Sequence, residues 1–389
     1  MKFNVASKLL LQQLSAVSRI INSKNALSIL DNFLLSVSNN VLTITGSDQE
    51  NTITATVDVT EQEGEGRVAV NAKRLLDTLK ELPGQPLEIS VNDETFEVDI
   101  RFLNGHFVFM GVNGNEYPEL GNYEGDAARF TIPAQIVQKG IDNTLFAASL
   151  ETIRPTMTGV YWDICPLKEG AMEGQEDSKI PGIVFVTTDT HKLVRYTNTE
   201  ANPGVSCSFI MPPKPAGILR NLISKDDADI EVEIYDKNAT FRFATYTIAC
   251  RFIIGRYPNY NRVIPRENPY KLNVDRVSLL TAARRVALFA SQASFLVKMV
   301  IEQDSITLVA QDVDYSTAAE EKVSCVYEGE PMTIGFNANY LIDELNNIKC
   351  DEVKLTLSDP GRAGVFMPAE PKEGEDVVML LMPMQVVDY

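Results

Sequence analysis

The stretch VTTDTHKLVRY, from Val186 to Tyr196, concentrates side chains that could do chemistry. Asp189 and His191 stand two residues apart among threonine hydroxyl groups, and His191 is one of only two histidines in the chain. A carboxylate beside an imidazole is a pairing that general acid–base catalysis uses. A hydrolase that uses Asp189 and His191 is therefore one hypothesis for this chain.

The sequence lacks the motifs that would complete such a site. It contains no nucleophile elbow (G-x-S-x-G), no H-E-x-x-H zinc motif and no phosphate-binding G-x-x-x-x-G-K-[ST] loop. The five cysteines are odd in number, and no two lie at metal-ligand spacing. We therefore predict reduced thiols, no catalytic residue, no cofactor and no bound metal.

The candidate site is also one copy of a threefold repeat. LTITGSDQENTITATV, IVFVTTDTHKLVRYTN and ITLVAQDVDYSTAAEE each contain a β-rich run, a polar turn and another strand. The turns GSDQENT, TTDTHKL and AQDVDYS share only their Asp. A turn that recurs three times favours a structural role for that Asp over a catalytic one.

Two helix patterns recur in the same way. FNVASKLLLQQLSAVSRI, FTIPAQIVQKGIDNTLFAAS and LNVDRVSLLTAARRVALFAS form one series, and VNAKRLLDTLKEL, MPPKPAGILRNLI and FNANYLIDELNNI form the other. Apolar residues at three- and four-residue spacing indicate amphipathic helices. The pattern predicts six helices, over 7–24, 71–82, 133–154, 212–225, 273–292 and 337–349.

These repeats predict an α+β fold of three similar domains. Each domain is an internally duplicated strand–helix–strand unit, with antiparallel sheets outside and two helices inside. We expect the domains to span 1–127, 128–256 and 257–389. Two polar insertions, 167–182 and 368–376, are expected to be exposed hairpin tips.

The net charge of −18 is distributed unevenly. The six predicted helices carry +8 together, so the rest of the chain carries −26. Basic helices surrounded by acidic sheets suggest a basic lining that attracts phosphates without reading base sequence. An acidic exterior would keep nucleic acid from binding elsewhere.

An ordered set of motifs resembles one known family. The set is MKF-x-V at the N-terminus, IL-x-N near 29–32, LTITGSD, TTDTHKL, RYPNYNRVIP, GFNANYLIDEL and MPM near the C-terminus. In this order and spacing they are similar to the bacterial DNA polymerase III beta subunits, the sliding clamps. The resemblance covers essentially the whole chain.

This resemblance implies a clamp fold and a mechanism without catalysis. Two chains would close head-to-tail into a ring that encircles duplex DNA without sequence specificity. A loader would place the ring on DNA, and the ring would tether the replicative polymerase. The resemblance implies DNA-facing positions, to which the helix pattern adds Arg220; together they are Lys24, Lys73, Arg74, Arg154, Lys214, Arg220 and Arg285. At the dimer interface it implies Phe107, Phe109, Leu288 and Phe289.

The resemblance also gives VTTDTHKLVRY a role. The turn would form one wall of a pocket, between the second and third domains, that binds short linear motifs of the polymerase, the loader and repair proteins. Apolar and Met side chains would form the slot and cationic ones the rim. The matching positions are Met157, Thr188, Thr190, His191, Lys192, Leu193, Pro258, Arg262, Val263, Gly364, Leu380, Met382, Pro383 and Met384.

The chain departs from the family at three places in this pocket. Thr190 stands where relatives commonly have Gly, and Lys192 stands where they have Arg. The tail continues from Gln385 to Tyr389, whereas relatives usually end soon after the MPM motif. These departures bear on which peptides the pocket prefers.

An alternative function is a repeat-built scaffold that binds peptides in the same pocket and never encircles DNA. In either case the N-terminus shows no export signal, and no apolar run is long enough to cross a membrane. We therefore expect a cytoplasmic protein with no membrane partner.

Overall fold

The computed structural model describes residues 1–22, 24–118, 123, 125–165, 182–224 and 229–386. The chain divides into two compact units. Unit 1 comprises Met1–Gln138 and Lys214–Phe252, and unit 2 comprises Lys139–Pro213 and Ile253–Tyr389. Of the insertion predicted at 167–182, all but Gly182 lies outside the described residues. The three domain boundaries stay predictions.

All six predicted helices are confirmed, each shorter than its sequence pattern. The longest overestimate is the third helix, where Thr144 gives way to a 3-10 turn at Leu145–Ala147. Asn71, Asp275 and Asn337 cap their helices by accepting backbone N–H groups of the first turn. The helices are α1 (Ser7–Val17), α2 (Ala72–Lys80), α3 (Ala134–Thr144), α4 (Pro213–Leu222), α5 (Arg276–Ala287) and α6 (Ala338–Asn347).

The described part of unit 1 forms two antiparallel sheets. The first has the strand order β5 (Thr60–Glu63), β1 (Lys2–Ala6), β7 (Pro86–Val91), β8 (Glu97–Phe102) and β9 (Gly105–Met110). The second has the order β10 (Val112–Asn113), β6 (Gly66–Asn71), β2 (Asn32–Ser38), β3 (Val41–Ser47), β4 (Asn51–Asp58), β18 (Tyr246–Arg251), β17 (Asn238–Phe243), β16 (Asp229–Ile234) and β11 (Ala128–Pro133).

The described part of unit 2 forms one run of twelve antiparallel strands. Their order is β15 (Cys207–Met211), β12 (Val160–Ile164), β13 (Ile183–Thr188), β14 (Lys192–Asn198), β26 (Glu375–Leu381), β25 (Gly364–Pro368), β24 (Glu352–Leu357), β19 (Tyr270–Asp275), β22 (Thr317–Glu328), β21 (Ser305–Asp312), β20 (Leu296–Ile301) and β23 (Met332–Asn337). The exposed segment between β25 and β26 confirms the hairpin tip predicted near 368–376.

The cores follow from the alternation of apolar residues on the strands and the apolar stripes of the helices. In unit 2, Leu279 of α5 and Leu341 and Leu345 of α6 are fully buried with Leu308 and Phe336 of the sheet. Burial of such side chains contributes roughly 1.5–3 kcal/mol each. No helix among the described residues is long and apolar enough to span a bilayer.

The three repeated turns have the same internal bonding, and we call them the Asp turns. In each, one carboxylate oxygen of the central Asp accepts the backbone N–H groups two and three residues ahead. The central residues are Asp48, Asp189 and Asp312. The structural role that the repeat indicated for this Asp is therefore confirmed.

Two of the Asp turns lead into strands that join one repeat to the next. After Asp48, β4 pairs antiparallel with β18, which is the last strand of the second repeat's hairpin. After Asp189, β14 pairs in the same way with β26, the last hairpin strand of the third repeat. The β4–β18 pair lies within unit 1 and the β14–β26 pair lies within unit 2. Each pair makes one sheet continuous from one repeat to the next.

Candidate functional site

The Asp189 turn is held by its own hydrogen bonds. Asp189 Oδ1 accepts the N–H groups of His191 at 2.9 Å and Lys192 at 2.8 Å. Thr188 donates its hydroxyl to the Lys192 carbonyl at 2.8 Å, and the Met382 N–H donates to the His191 carbonyl at 2.8 Å. The turn is therefore fixed both internally and to the segment that follows β26.

This bonding does not form an acid–base pair. The carboxylate of Asp189 is directed to backbone N–H groups and to Lys192, and within the described part of the chain no hydrogen bond joins it to the His191 ring. The ring instead stacks on Tyr340, with 5.4 Å between centroids and 20° between planes. The described residues also show no group of three or more His, Cys, Asp or Glu placed to hold a metal ion.

Thr190 occupies a backbone conformation that favours glycine. Its φ is +80°, in the left-handed region, and its side chain is exposed. A β-branched residue is strained there because its Cβ crowds the backbone. The turn thus keeps the backbone shape that a glycine would adopt and adds a hydroxyl and a methyl group at its tip.

Lys192 is not a rim cation, which corrects the sequence interpretation. Its side chain is only 6% exposed, and its ammonium lies 3.2 Å from Asp343 Oδ2 and 3.6 Å from Asp189 Oδ2. It also lies 4.9 Å from the ring centroid of Tyr340. The physical reason is that two carboxylates and an aromatic face together replace the water that a buried ammonium loses.

Glu344 stands beside this cluster, fully buried on α6. Neither of its carboxylate oxygens has a hydrogen-bond partner in the described structure. Burial raises the pKa of Glu344 well above its usual range, and the nearby Lys192 ammonium offsets only part of that rise. A carboxyl group in this setting is favoured in its neutral form.

An apolar cluster lies under the predicted pocket. Leu193 and Leu380 pair across β14 and β26 and are buried together with Tyr257, Tyr260 and Ala363. The Tyr257 hydroxyl donates to the Val186 carbonyl at 3.3 Å, and the Tyr260 hydroxyl donates to Asp163 at 2.9 Å. These bonds hold the segment that carries Pro258, Arg262 and Val263 against the sheet.

The predicted pocket residues therefore separate into two sets. The buried ones are core residues: Thr188, Lys192, Leu193, Gly364 and Leu380. Exposed or half-buried ones remain accessible: Met157, Thr190, His191, Pro258, Arg262, Val263, Met382, Pro383 and Met384. Val263 is 55% exposed and Met382 44%, so both apolar side chains are open to contact.

The tail turns toward β23. The Met384 N–H donates to the Gly335 carbonyl at 2.8 Å, which forms an isolated antiparallel bridge. Gln385 is exposed and Val386 is half-buried, whereas 387–389 lie outside the described residues. The first part of the extension thus follows the edge of β23.

Lys214 is the one predicted DNA-facing cation whose ammonium is fully occupied. It donates to the Ile20 carbonyl, to Asn22 Oδ1 at 2.7 Å and to Asp48 Oδ2 at 2.8 Å. Three acceptors satisfy all three ammonium hydrogens. The ammonium therefore anchors the Asp48 turn and the end of α1, and the predicted contact of Lys214 with DNA would require it to leave these acceptors.

The other predicted cations differ in what they contact. Lys24, Lys73, Arg74 and Arg154 are exposed. Arg220 is half-buried. The Arg285 guanidinium binds Glu321 through two hydrogen bonds, one of them 2.9 Å between Nε and Oε2. This pair ties the end of α5 to the first half of β22.

The predicted interface residues lie on the edge strand β9 and just after the end of α5. Phe107 and Phe109 are half-buried on β9, where Val108 and Met110 are more exposed. Leu288, just after α5, is 82% exposed, and Phe289 is 39% exposed. Val108, Met110, Leu288 and Phe289 are among the exposed large apolar side chains of the described structure.

Three family models match the chain in sequence. They describe the N-terminal, central and C-terminal domains of the DNA polymerase III beta subunit, and they match residues 1–121, 131–259 and 261–385. The chain is 26% identical over 386 residues to the beta sliding clamp of Escherichia coli strain K12, covering 99% of this chain and 100% of the relative. It is 28% identical over 361 residues to the beta sliding clamp of Proteus mirabilis, covering 92% and 94%.

Solved structures give the same comparison. A sliding clamp from Bartonella birtlesii bound to griselimycin is 27% identical and superposes with a TM-score of 0.89, covering 99% of this chain and 100% of that one. The beta subunit of Streptococcus pyogenes DNA polymerase has a TM-score of 0.90 at 24% identity, with the same coverage. At 24% identity, the similarity to the Streptococcus pyogenes protein shows the fold alone.

Proposed function

Because the chain belongs to the DNA polymerase III beta subunit family, we propose that it is a DNA sliding clamp, of which two copies close head-to-tail into a ring around duplex DNA. The ring tethers the replicative polymerase and other partners, which dock in the pocket at the Asp189 turn. The single observation that carries this proposal is the pattern of strand edges at the repeat junctions.

In the described structure, one strand that follows an Asp turn and one last hairpin strand each keep an unpaired edge. Residues 317–324 of β22 follow the Asp312 turn and, among the described strands, pair only with β21, since β19 pairs with the later part of β22. β9 is the last hairpin strand of the first repeat, and in the described structure it pairs only with β8. At each of the two junctions within the chain, the strand that follows an Asp turn pairs with the last hairpin strand of the next repeat: β4 with β18, and β14 with β26. A second copy completes the third junction in the same way.

Two such junctions close a ring, because each copy offers one edge and accepts the other. The β8–β9 hairpin closes with the pair Phe102–Gly105, and the β17–β18 hairpin closes with the pair Phe243–Tyr246. Phe107 lies two residues after Gly105 and Ile248 two residues after Tyr246, so the two residues are counterparts. Ile248 pairs with Ile53, five residues after Asp48. The equivalent pairing places Phe107 of one copy opposite Thr317 of the other.

The residues around these edges suit an interface. β9 presents apolar side chains, and the exposed Leu288 and Phe289 sit at the end of α5, which Arg285 ties to Glu321 on the open part of β22. Burying such residues on association removes apolar surface from water. We assign Phe107, Phe109, Leu288 and Phe289 to the subunit interface.

The DNA contacts are electrostatic and independent of base sequence. Within their observed bounds the helices carry six more basic than acidic residues, although the chain as a whole carries −18. We assign Lys24, Arg74, Arg154 and Arg220 to contacts with phosphates. Arg285 contributes only when it exchanges Glu321 for a phosphate. A closed ring holds DNA topologically, so weak contacts suffice and permit sliding.

The pocket binds short apolar segments of partner proteins. Pro258, Val263 and Met382 offer exposed apolar contacts above the buried floor of Leu193 and Leu380, and Arg262 and His191 supply polar groups at its margin. A bacterial sliding clamp binds griselimycin, and we assign the binding of this compound in the present chain to the same pocket. The protein acts in the cytoplasm, without catalytic activity of its own.

Primer extension tests this function. The chain, its cognate loader and polymerase III are combined on a singly primed single-stranded DNA circle. We expect products many times longer than those made without the chain. Equal product lengths with and without it would overturn the proposal.

A further inference from the structure

The Asp48 turn shows how one repeat anchors the next. One carboxylate oxygen of Asp48 binds the turn's own backbone, and the other accepts the Lys214 ammonium at 2.8 Å. Lys214 is the second residue of α4, the second helix of the following repeat. Its ammonium also binds the carbonyl of Ile20, just beyond α1. One lysine therefore ties together the turn, the helix end and the next repeat.

The Asp189 turn satisfies its second oxygen with a different lysine. Lys192 belongs to the turn itself, and its ammonium lies 3.6 Å from Asp189 Oδ2 and 3.2 Å from Asp343 on α6. Both turns therefore form an ion pair with the second helix of the next repeat. At the Asp48 turn the helix supplies the lysine, whereas at the Asp189 turn the helix supplies the carboxylate. In both the Asp48 turn and the Asp189 turn, a lysine ammonium lies near Oδ2 of the central Asp, the oxygen that does not bind the backbone of the turn.

The Asp312 turn has the carboxylate, but no cation of the described residues pairs with it. Asp312 is only 7% exposed, and its Oδ1 accepts the N–H groups of Asp314 at 3.0 Å and Tyr315 at 3.3 Å. Among the described residues no cation or hydrogen-bond donor pairs with its Oδ2. Val313 and Tyr315 beside it are 69% and 76% exposed. A largely buried carboxylate next to exposed apolar side chains is what an uncovered junction leaves behind.

The first repeat carries a lysine at the position equivalent to Lys214. VNAKRLLDTL and MPPKPAGILR align so that Lys73 matches Lys214, and each is the second residue of its helix. Lys73 is exposed, and it makes no ion pair in the described part of the chain. The counterpart of Ile20 in the third repeat is Phe289, at the exposed end that follows α5.

We propose that Lys73 of one copy binds Asp312 Oδ2 of a second copy, and that this contact fastens each subunit junction of the ring. It rests on the proposed head-to-tail dimer, in which β9 of one copy pairs with β22 of the other and brings α2 to the Asp312 turn. Lys73 is then an interface residue, in place of the DNA contact implied by the family resemblance. Arg74 beside it keeps its assignment to DNA.

A double-mutant cycle on the full-length protein tests this pair. The variants are Lys73→Met, Asp312→Asn and the combination of both. Asp312→Asn keeps the Oδ1 acceptor that holds the turn, so the fold is preserved while the charge is lost. The dimer dissociation constant is measured by sedimentation velocity over a range of protein concentrations. Lys80→Met is the control, because Lys80 lies on the same helix and pairs with Asp77 of its own chain.

We expect each single variant to raise the dissociation constant by about tenfold or more, as close charge pairs across interfaces do. The dissociation constant of the double variant should be no higher than that of the weaker-binding single variant. The dissociation constant of Lys80→Met should equal that of the wild type. If the wild type dimerises but Lys73→Met leaves its dissociation constant unchanged, or if the two effects simply add, this inference alone is overturned. A wild type that stays monomeric at every concentration overturns the proposed ring, and this inference with it.

Discussion

Lys192 and Asp343 form an ion pair of 3.2 Å between β14 and α6, beside the turn that carries His191. The lysine is buried, whereas the side chain of Asp343 is 51% exposed. The turn of the candidate docking pocket is therefore held in part by a helix of the following repeat. Tyr340 on the same helix contacts both the His191 ring and the Lys192 ammonium.

Removing the charge of Asp343 should destabilise unit 2. Asp343→Asn leaves the buried Lys192 ammonium with Asp189 as its nearest carboxylate, and we expect a loss of about 1–2 kcal/mol in unfolding free energy. Denaturant unfolding monitored by circular dichroism measures it. The matched control is Asp359→Asn, in an exposed pair with Arg362, which should cost under about 0.5 kcal/mol. Equal losses in the two variants would show that the buried pair has no special weight.

Replacing Glu344 should stabilise the protein most at high pH. The pKa of Glu344 is raised in the folded state, so the folded protein keeps a proton that the unfolded chain loses above about pH 4.3. The contribution of Glu344 to wild-type stability therefore declines as the pH rises from that value toward the native pKa of this group. Glu344→Leu removes this decline and the unpaired polar atoms, for a gain of about 1–3 kcal/mol at pH 8.

The pH dependence of that gain is the informative part. Thermal unfolding of the wild type, Glu344→Leu and Glu344→Gln is compared at pH 4.5 and pH 8. The advantage of both variants over the wild type should be larger at pH 8, because neither side chain titrates. A constant difference at the two pH values would contradict a raised pKa.

Glycine at position 190 should relieve backbone strain. Thr190→Gly removes a β-branched side chain from φ +80°, and we expect a net gain of about 0.5–1 kcal/mol after the greater flexibility of glycine in the unfolded chain is subtracted. Thr199→Gly, at an exposed position after β14, is the control and should be neutral or destabilising. A loss of stability in Thr190→Gly would show that the strain is compensated locally.

Truncating the exposed apolar residues should weaken griselimycin binding. Met382→Ala with Val263→Ala removes two accessible contacts, and we expect the dissociation constant to rise by about tenfold or more. Isothermal titration calorimetry measures it, and sedimentation should find the dimer intact. Leu193→Ala is unsuitable for this purpose, because a buried leucine changed to alanine costs about 2–5 kcal/mol of stability. Unchanged affinity would place the ligand elsewhere.

Local pattern was enough to predict the fold class and the helices. Apolar spacing identified all six helices, and the threefold recurrence of the Asp turns indicated a repeat architecture. Helix lengths were overestimated where apolar residues continue beyond the last helical turn, as after Thr144, because the same residues also pack in 3-10 turns and loops.

The roles of individual cations could not be predicted from sequence. Lys192 and Lys214 both look like surface lysines, yet each ammonium is held by carboxylates and other groups far away in the chain. Asp343 and Glu344 also escaped prediction, because on an amphipathic helix a buried carboxylate looks like an ordinary polar position. The one available signal was the alignment of Lys214 with Lys73, which shows that one position in the repeat carries a lysine twice.

Retention on circular DNA tests the ring most directly. The chain is loaded with its cognate loader onto a nicked circular duplex, isolated by gel filtration, and the DNA is then cut once with a restriction enzyme. We expect the protein to stay on the circle at moderate salt and to leave once the DNA is linear, since a ring slides off a free end. Equal retention on circular and linear DNA would contradict topological binding, and no retention on either form would favour a scaffold that never encircles DNA.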